Sequence, residues 1–411
     1  MPAHPASPQA PVVSERMVIF LVGAIQFVNI LDFMMVMPLG PDFAAALGIA
    51  TSHIGVVGGS YTAAAAVAGV AGSFFLDRFD RRLALGVVML GLVIGTLLGG
   101  FATGLPSLLA ARIIAGAFGG PATSISLAVV TDAVPPARRG KALGAVMGSF
   151  AVASVLGVPA GLELSRRFGW RSPFFAVAGL GLVLTLLAIR VLPSFKGHLL
   201  AARNKGPKAP LFDRMTGVAL MNSALIMFGV FAVVPNISAF LQHNLAYPRE
   251  QMGMLYLVGG VASFVCMRLV GVFVDRFGAL PMVILGTLFQ VFALYFGFIR
   301  PALGMPILLI FTVYMLSGSV RMVPMQALAT RVPRPEQRAR FMSAQSAVQH
   351  LASALGAIGA SALLSTDSGG KLLGMENVAL AALGVACLVP VGAAILERWL
   401  NQRPMPAAEA R

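Results

Sequence analysis

The sequence is short of charge. Only 11% of its 411 residues are Asp, Glu, Lys or Arg, while 58% are hydrophobic and the mean hydropathy is +0.86. A soluble domain carries about 25% charged residues because water must wet its surface, so a soluble globular protein is excluded. Cysteine is nearly absent. Cys266 and Cys387 both fall inside apolar runs, which rules out a disulfide framework or a paired-thiol motif. The five histidines (His4, His53, His198, His243 and His350) are scattered without metal-ligand spacing. No Gly-rich phosphate loop or nucleophile motif stands where catalysis would need one. No cofactor is therefore expected, and a membrane-embedded enzyme is disfavoured. Acidic residues number 15 against 30 basic ones. That excess lacks the Lys/Arg-rich face with interleaved aromatics that nucleic acid requires. Residues 1–15 are rich in Pro and Ala with no basic segment, so no cleavable leader is expected.

What the chain has is apolar runs. About 20 apolar residues cross the ~30 Å of bilayer hydrocarbon, and twelve such runs can be marked: 17–39, 54–76, 83–104, 106–131, 140–164, 173–192, 216–242, 251–273, 280–299, 304–329, 341–364 and 376–397. This predicts an all-α polytopic membrane protein. Its parts are a disordered tail 1–16, a six-helix bundle 17–192, a linker 193–215, a second six-helix bundle 216–397 and a tail 398–411. With both termini inside, 21 Lys and Arg fall on the inner side and six on the outer, while Arg112, Arg268 and Arg321 lie within spans. Cytoplasmic loops are the positive ones, so both termini and the linker are expected in the cytoplasm. Arg166, Arg167 and Arg171 run against the trend.

The halves repeat each other. Asp77-Arg78-Phe79 recurs as Asp275-Arg276-Phe277, and the segment from Thr131 to Arg139 is echoed from Thr330 to Arg338, at offsets of 198 and 199 residues. A duplicated bundle is how many transporters build a substrate path between two halves.

Four segments resemble the major facilitator superfamily, specifically its twelve-span drug:proton antiporter and sugar-efflux branch. The resemblance covers essentially the whole chain. Ser73 to Arg82 is similar to the signature loop between spans 2 and 3, with Ser73 and Asp80 standing where the family has Gly; Asp tolerates a left-handed turn better than most residues. Arg112-x-x-x-Gly116-x-x-x-Gly120 resembles the second motif. Gly148, Gly157, Pro159 and Gly161 in span 5 are similar to the antiporter motif, with Val158-Pro159 closer to the sugar-efflux variant. Asp132 to Gly144 resembles the loop after span 4. The resemblance implies a cytoplasmic gate built from Asp77, Arg81, Arg82, Asp132, Arg139 and Asp275. It further implies a central cavity lined by spans 1, 4, 7 and 10, and a monomer.

Ionisable residues within spans are costly and are functional candidates by default. Asp32 in span 1 and Arg112 in span 4 both lie roughly 10 Å below the outer surface at 1.5 Å per residue, which makes them a candidate proton-coupling pair. A static structural pair is the alternative. Glu163 is the next candidate carboxylate. Polar side chains that should face a cavity are Gln26, Asn29, Asn222, Asn236, Tyr314, Ser317, Arg321, Gln345 and Gln349, with His350 a further titratable group. Arg321 has no acidic residue in spans 6 to 11 to neutralise it. It is a candidate for attracting an anionic group, or else a clamp on helix carbonyls. Gly69-Val70-Ala71-Gly72-Ser73 in span 2 reads as a close-packing face.

The expected function is a secondary exporter in the bacterial cytoplasmic membrane that exchanges protons for a small organic solute by alternating access. The proton gradient is its energy source. Its partners are the solute, protons and the lipid bilayer, with no nucleic acid. An uptake symporter of the same fold is the alternative. A sensor would need an output domain, and the longest connection is too short to fold alone.

Overall fold

A computed structural model describes residues 14–135, 138–195, 213–301, 304–334 and 337–402. The basic linker residues Lys196, Arg203, Lys205 and Lys208 and most of both tails lie outside the described residues. Twelve long helices follow in order: α1 Glu15–Met35, α2 Ile54–Phe75, α3 Arg81–Gly100, α4 Leu105–Ala133, α5 Arg139–Phe168, α6 Ser172–Val191, α7 Arg214–Asn244, α8 Met252–Phe277, α9 Ala279–Ile299, α10 Ile307–Arg331, α11 Arg338–Leu363 and α12 Met375–Asn401. Among the described residues, eleven are long and apolar enough to cross a membrane. The exception is α11, which has 26 residues but interrupts its apolar surface with Ser343, Gln345, Ser346, Gln349, His350 and Ser353. A helix this polar is sheltered by neighbours rather than by lipid, and α11 packs along both α2 and α7.

Local chemistry sets the helix ends. Ser14 accepts a hydrogen bond from the Met17 amide and Asp213 from the Thr216 amide, each capping a helix start. Asp80 caps α3, accepting from the Arg82 amide at 2.9 Å. Its backbone is extended, φ −57° and ψ 127°, so the left-handed turn expected there does not form. Its counterpart in the repeat, Gly278, does turn left, at φ +87°. Thus two copies of one motif end in different ways. The Ser194 hydroxyl and the Phe195 amide also donate to Asp80. Burial pushes the Asp80 carboxyl up, but these donors and the Arg82 charge outweigh it and hold the pKa below the usual value.

Three spans contain π-helical turns: Ala153–Gly157 in α5, Phe240–Asn244 in α7 and Tyr295–Ile299 in α9. The α5 turn precedes Pro159, whose missing N–H and ring would otherwise disturb the ladder. A two-strand hairpin, Ser365–Thr366 paired antiparallel with Leu372–Leu373, joins α11 to α12.

The halves are clamped at the end that carries the α1–α2 and α7–α8 connections, termed the outer end. Arg249 pairs with Asp42 and donates to the Leu162 carbonyl; Ser238 donates to the Pro38 carbonyl at 3.0 Å; and the Ser52 amide donates to Thr366 at 3.1 Å. Deeper in, a Cβ on Gly55 would lie 2.5 Å from the Ala357 carbonyl, and one on Gly59 2.7 Å from Ile358. These are the close approaches of α2 to α11. Gly69, in the segment expected to pack tightly, has nothing within 4 Å of its Cβ position, and Val70 and Ala71 are exposed. The larger apolar core runs through the first half and continues across the outer end into the second. A separate cluster around Leu220, Val283, Leu328 and Leu396 fills the inner part of the second half.

Candidate functional site

Within the first bundle a polar network sits in apolar surroundings. Asp32 is 0% and Arg112 1% exposed. Arg112 Nη1 donates to both carboxylate oxygens, at 3.1 and 3.0 Å, and Nη2 lies 3.4 Å from the Asp32 carbonyl. Thr96 of α3 donates to Asp32 at 2.8 Å. The guanidinium lies over the Tyr61 ring, 4.6 Å from its centroid. The Tyr61 hydroxyl donates to Asn29 at 3.1 Å, and Asn29 donates to the Gly119 carbonyl and to Thr123. One carboxylate is therefore tied to α2, α3 and α4 together.

The cavity candidates separate into groups. Gln345 donates to Ser223 at 2.9 Å and to Gln326 at 3.3 Å. Beside them Gln349, Gln326, Ser223, Met227, Met322 and Met325 line a narrow cleft between α7, α10 and α11. Gln26 is buried on α1 with neither amide atom bonded. Asn29 is consumed by the first-bundle network. Asn222 turns instead to α12, donating to the Val389 carbonyl at 3.2 Å, and Asn236 donates to the Ala232 carbonyl of its own helix. Ser317 likewise bonds back to the Tyr314 carbonyl, while the Tyr314 hydroxyl reaches toward Val230 of α7 at 3.4 Å. Their positions within spans were readable, but the side of the helix that wins the contact depends on neighbours. Arg321 is 1% exposed and lies against α9: a Cβ on Gly286 would meet its Cγ at 2.6 Å. Its Nε contact is the Ser317 carbonyl at 3.4 Å. His350 is half-buried on α11.

Of the expected gate residues, those of the first half keep to that half, and Asp275 stands apart in the second. Arg81 pairs with Asp132 at 3.6 Å, Arg82 donates to the Leu192 carbonyl at 3.2 Å, and Arg139 to the Val134 carbonyl at 3.0 Å. Asp77 lies in a short 3-10 turn, and Asp275 is exposed near the end of α8. In α5, Gly148 ends the first helical segment, Gly157 closes the π turn against Leu31, Pro159 opens the next segment, and Gly161 makes ordinary contact with Met35. Ser149 donates to the Gly23 carbonyl at 2.7 Å, and a Cβ on Gly260 of α8 would meet the Ser154 carbonyl at 3.1 Å. The motif therefore lies where α5 meets both α1 and the other half.

Sequence reasoning missed Thr96, Tyr61, Gln290 and the Asp42–Arg249 clamp. It also left Arg166 and Arg167 unexplained. Both pair with Glu163, one at i+3 and the other at i+4, a helical spacing that was visible in the sequence. Glu163 is thereby a surface group and not a buried carboxylate. Arg171 donates to the Ala102 carbonyl and stacks on Trp170.

The family model of the Major Facilitator Superfamily matches residues 22–357 and 219–409. The purine ribonucleoside efflux pump NepI of Escherichia coli is 30% identical over 252 residues, which are 60% of this chain and 61% of the pump, so the match spans about three fifths of that relative's length. The chloramphenicol resistance protein of Streptomyces lividans is 26% identical over 307 residues, 72% of this chain and 75% of that protein. A bacterial homologue of the human lysosomal transporter Spinster, solved inward-facing and occupied, superposes with a TM-score of 0.75 at 18% identity, covering 95% of this chain and 99% of that one. The inward-open xylose transporter XylE from Escherichia coli gives 0.71 at 16% identity, covering 96% and 98%. At such identities these structures speak to fold alone.

Proposed function

The chain belongs to the major facilitator superfamily, and on that footing we propose that it is a proton-driven exporter of small, largely uncharged organic solutes. Membership makes it a multi-pass membrane transporter and not an enzyme. The observation that carries the coupling is Asp32: a fully buried carboxylate bound by Arg112 and Thr96. Proton arrival neutralises Asp32 and loosens its hold on Arg112; proton loss restores the pair. Because Asp32 also touches α3 and, through Arg112 and Tyr61, α2, that change in charge bears on helices of the whole first bundle. The two-state element it biases is the seam between the halves.

Export is favoured by two considerations. The sequence relatives named above are an efflux pump and a resistance protein. Span 5 carries the Gly/Pro pattern of the superfamily's exporters. The amide and thioether side chains around Ser223, Gln326 and Gln349 supply both donors and acceptors to a planar, neutral, polar solute once alternating access widens the cleft between them. A nucleoside or an amphenicol-like drug has that chemistry.

Everted vesicles with an acidified lumen test the reading. Proton-driven accumulation of a nucleoside or of chloramphenicol is expected, and its loss in Asp32→Asn with solute binding retained. Gradient-driven accumulation that survives in Asp32→Asn would move the coupling carboxylate elsewhere. Concentration of the solute by intact cells would reverse the direction.

A further inference from the structure

The second bundle holds a buried cation with no matching carboxylate. The acidic residues of its described part (Asp213, Glu250, Asp275, Asp367, Glu376 and Glu397) all stand in connections or at helix ends. None shares the level of Arg321. The Arg321 Nη2 atom makes no hydrogen bond, and its Nε contact is a long one to its own helix. Gln290 of α9 is 0% exposed, and neither its Nε2 nor its Oε1 is bonded.

These two side chains share a level. Gly286 faces Arg321 and Gly297 faces Ile310, two contacts of a single antiparallel register between α9 and α10. That register sets Gln290 opposite Ser317. Arg321 leans toward the start of its own helix, as helical side chains do, and its Nε lies against the Ser317 carbonyl. The guanidinium head and the Gln290 amide therefore occupy the same turn, with Tyr314 one turn further out on the same face.

From this arrangement we infer that Arg321 and Gln290 form a binding site for a small monoanion, a halide or a carboxylate group, enclosed between α9 and α10. A dipolar partner would satisfy hydrogen bonds and leave the full positive charge in hydrocarbon, where an unpaired charge is strongly disfavoured. An anion satisfies both demands. The Gln290 amide N–H supplies the second donor, and the guanidinium supplies the countercharge. The site is separate from the Asp32 network and does not depend on proton coupling.

The test is the melting temperature of purified protein titrated with chloride or bromide, with isethionate replacing the halide to hold ionic strength constant. A saturable rise of several degrees is expected, because a ligand of the native state stabilises it. Arg321→Met should lose the rise, and Gln290→Leu should need more halide to reach it. A parallel titration with formate separates the two sources: a rise with halide identifies a free ion, whereas a rise with formate alone identifies a carboxylate-bearing solute. A melting temperature flat in all three anions overturns the inference, as does an Arg321→Met variant that keeps the wild-type response. Should Arg321→Met fail to fold, an unchanged halide midpoint in Gln290→Leu would overturn it equally.

Discussion

Each half of this transporter encloses one arginine, and the two are treated in opposite ways. Arg112 meets Asp32 through three contacts and lies over an aromatic face; Arg321 meets a single carbonyl of its own helix. Duplicated bundles thus kept one architecture while their interiors diverged in charge. In the first half neutrality is built into the chain. In the second it must come from elsewhere. The asymmetry divides the labour proposed above, with coupling in one bundle and anion recognition in the other.

The largest expected effect comes from removing one partner of the closed pair. Asp32→Ala strands Arg112 and should destabilise the fold by about 3–5 kcal/mol, read as a fall in melting temperature. Arg321→Met should do the reverse in halide-free buffer, being neutral or stabilising because it removes an uncompensated charge. Equal losses in both variants would erase the comparison. A sharper version grafts the first half's solution onto the second: Gln290→Glu is nearly isosteric and gives Arg321 a carboxylate. Its melting temperature should exceed that of wild type without halide and no longer respond to it. A halide response that persists in Gln290→Glu would place the ion elsewhere.

The clamp between halves should give a smaller effect. Arg249→Ala removes the ion pair with Asp42, a partly exposed contact worth on the order of 1 kcal/mol. That amounts to about a fivefold shift toward outer-open molecules, measurable as faster labelling of a cysteine placed at Ser238. Unchanged labelling would mean that the glycine seam and the Ser52–Thr366 contact hold the outer end without the ion pair. An effect of similar size concerns Asp80. Its depressed pKa means that its stabilising contribution is complete above the ordinary carboxylate range and is lost as pH falls through the lowered value. Asp80→Ala should therefore cost about 1 kcal/mol near neutral pH and lose that penalty only in strong acid, as followed by melting temperature against pH.

Fold class was legible because lipid imposes a crude rule that composition obeys: long apolar runs with short charged breaks. The depth of Asp32 and Arg112 was legible for the same reason, since residues count off height along a helix. Azimuth was not. Asn222 and Asn236 were recognisably inside spans, yet which neighbour each would meet is decided by packing of helices far apart in sequence. Gln290 escaped notice because one amide in an apolar run carries no pattern. Asp42 and Arg249 lie in separate connections, 207 residues apart, and nothing local links them. Asp80 shows another limit. Its tolerance of a left-handed turn was sound chemistry, but its cap on α3 and its bonds to Ser194 and Phe195 prevailed.

The widened turn at Ala153–Gly157 has a consequence for how α5 meets its neighbours. An inserted residue rotates everything beyond it by about 100° relative to an unbroken helix. Ser149 before the turn, the Ser154 hydroxyl within it and Gly157 at its end all face α1, while the Ser154 carbonyl and the Val155 backbone approach Gly260 of α8. This rod is thus two facets joined by a built-in swivel, and the phase of that swivel lets a single helix serve as bearing surface for both halves. Shortening the turn by one residue would remove no charge and no contact-forming side chain type, yet it would throw the outer facet out of phase with the inner one.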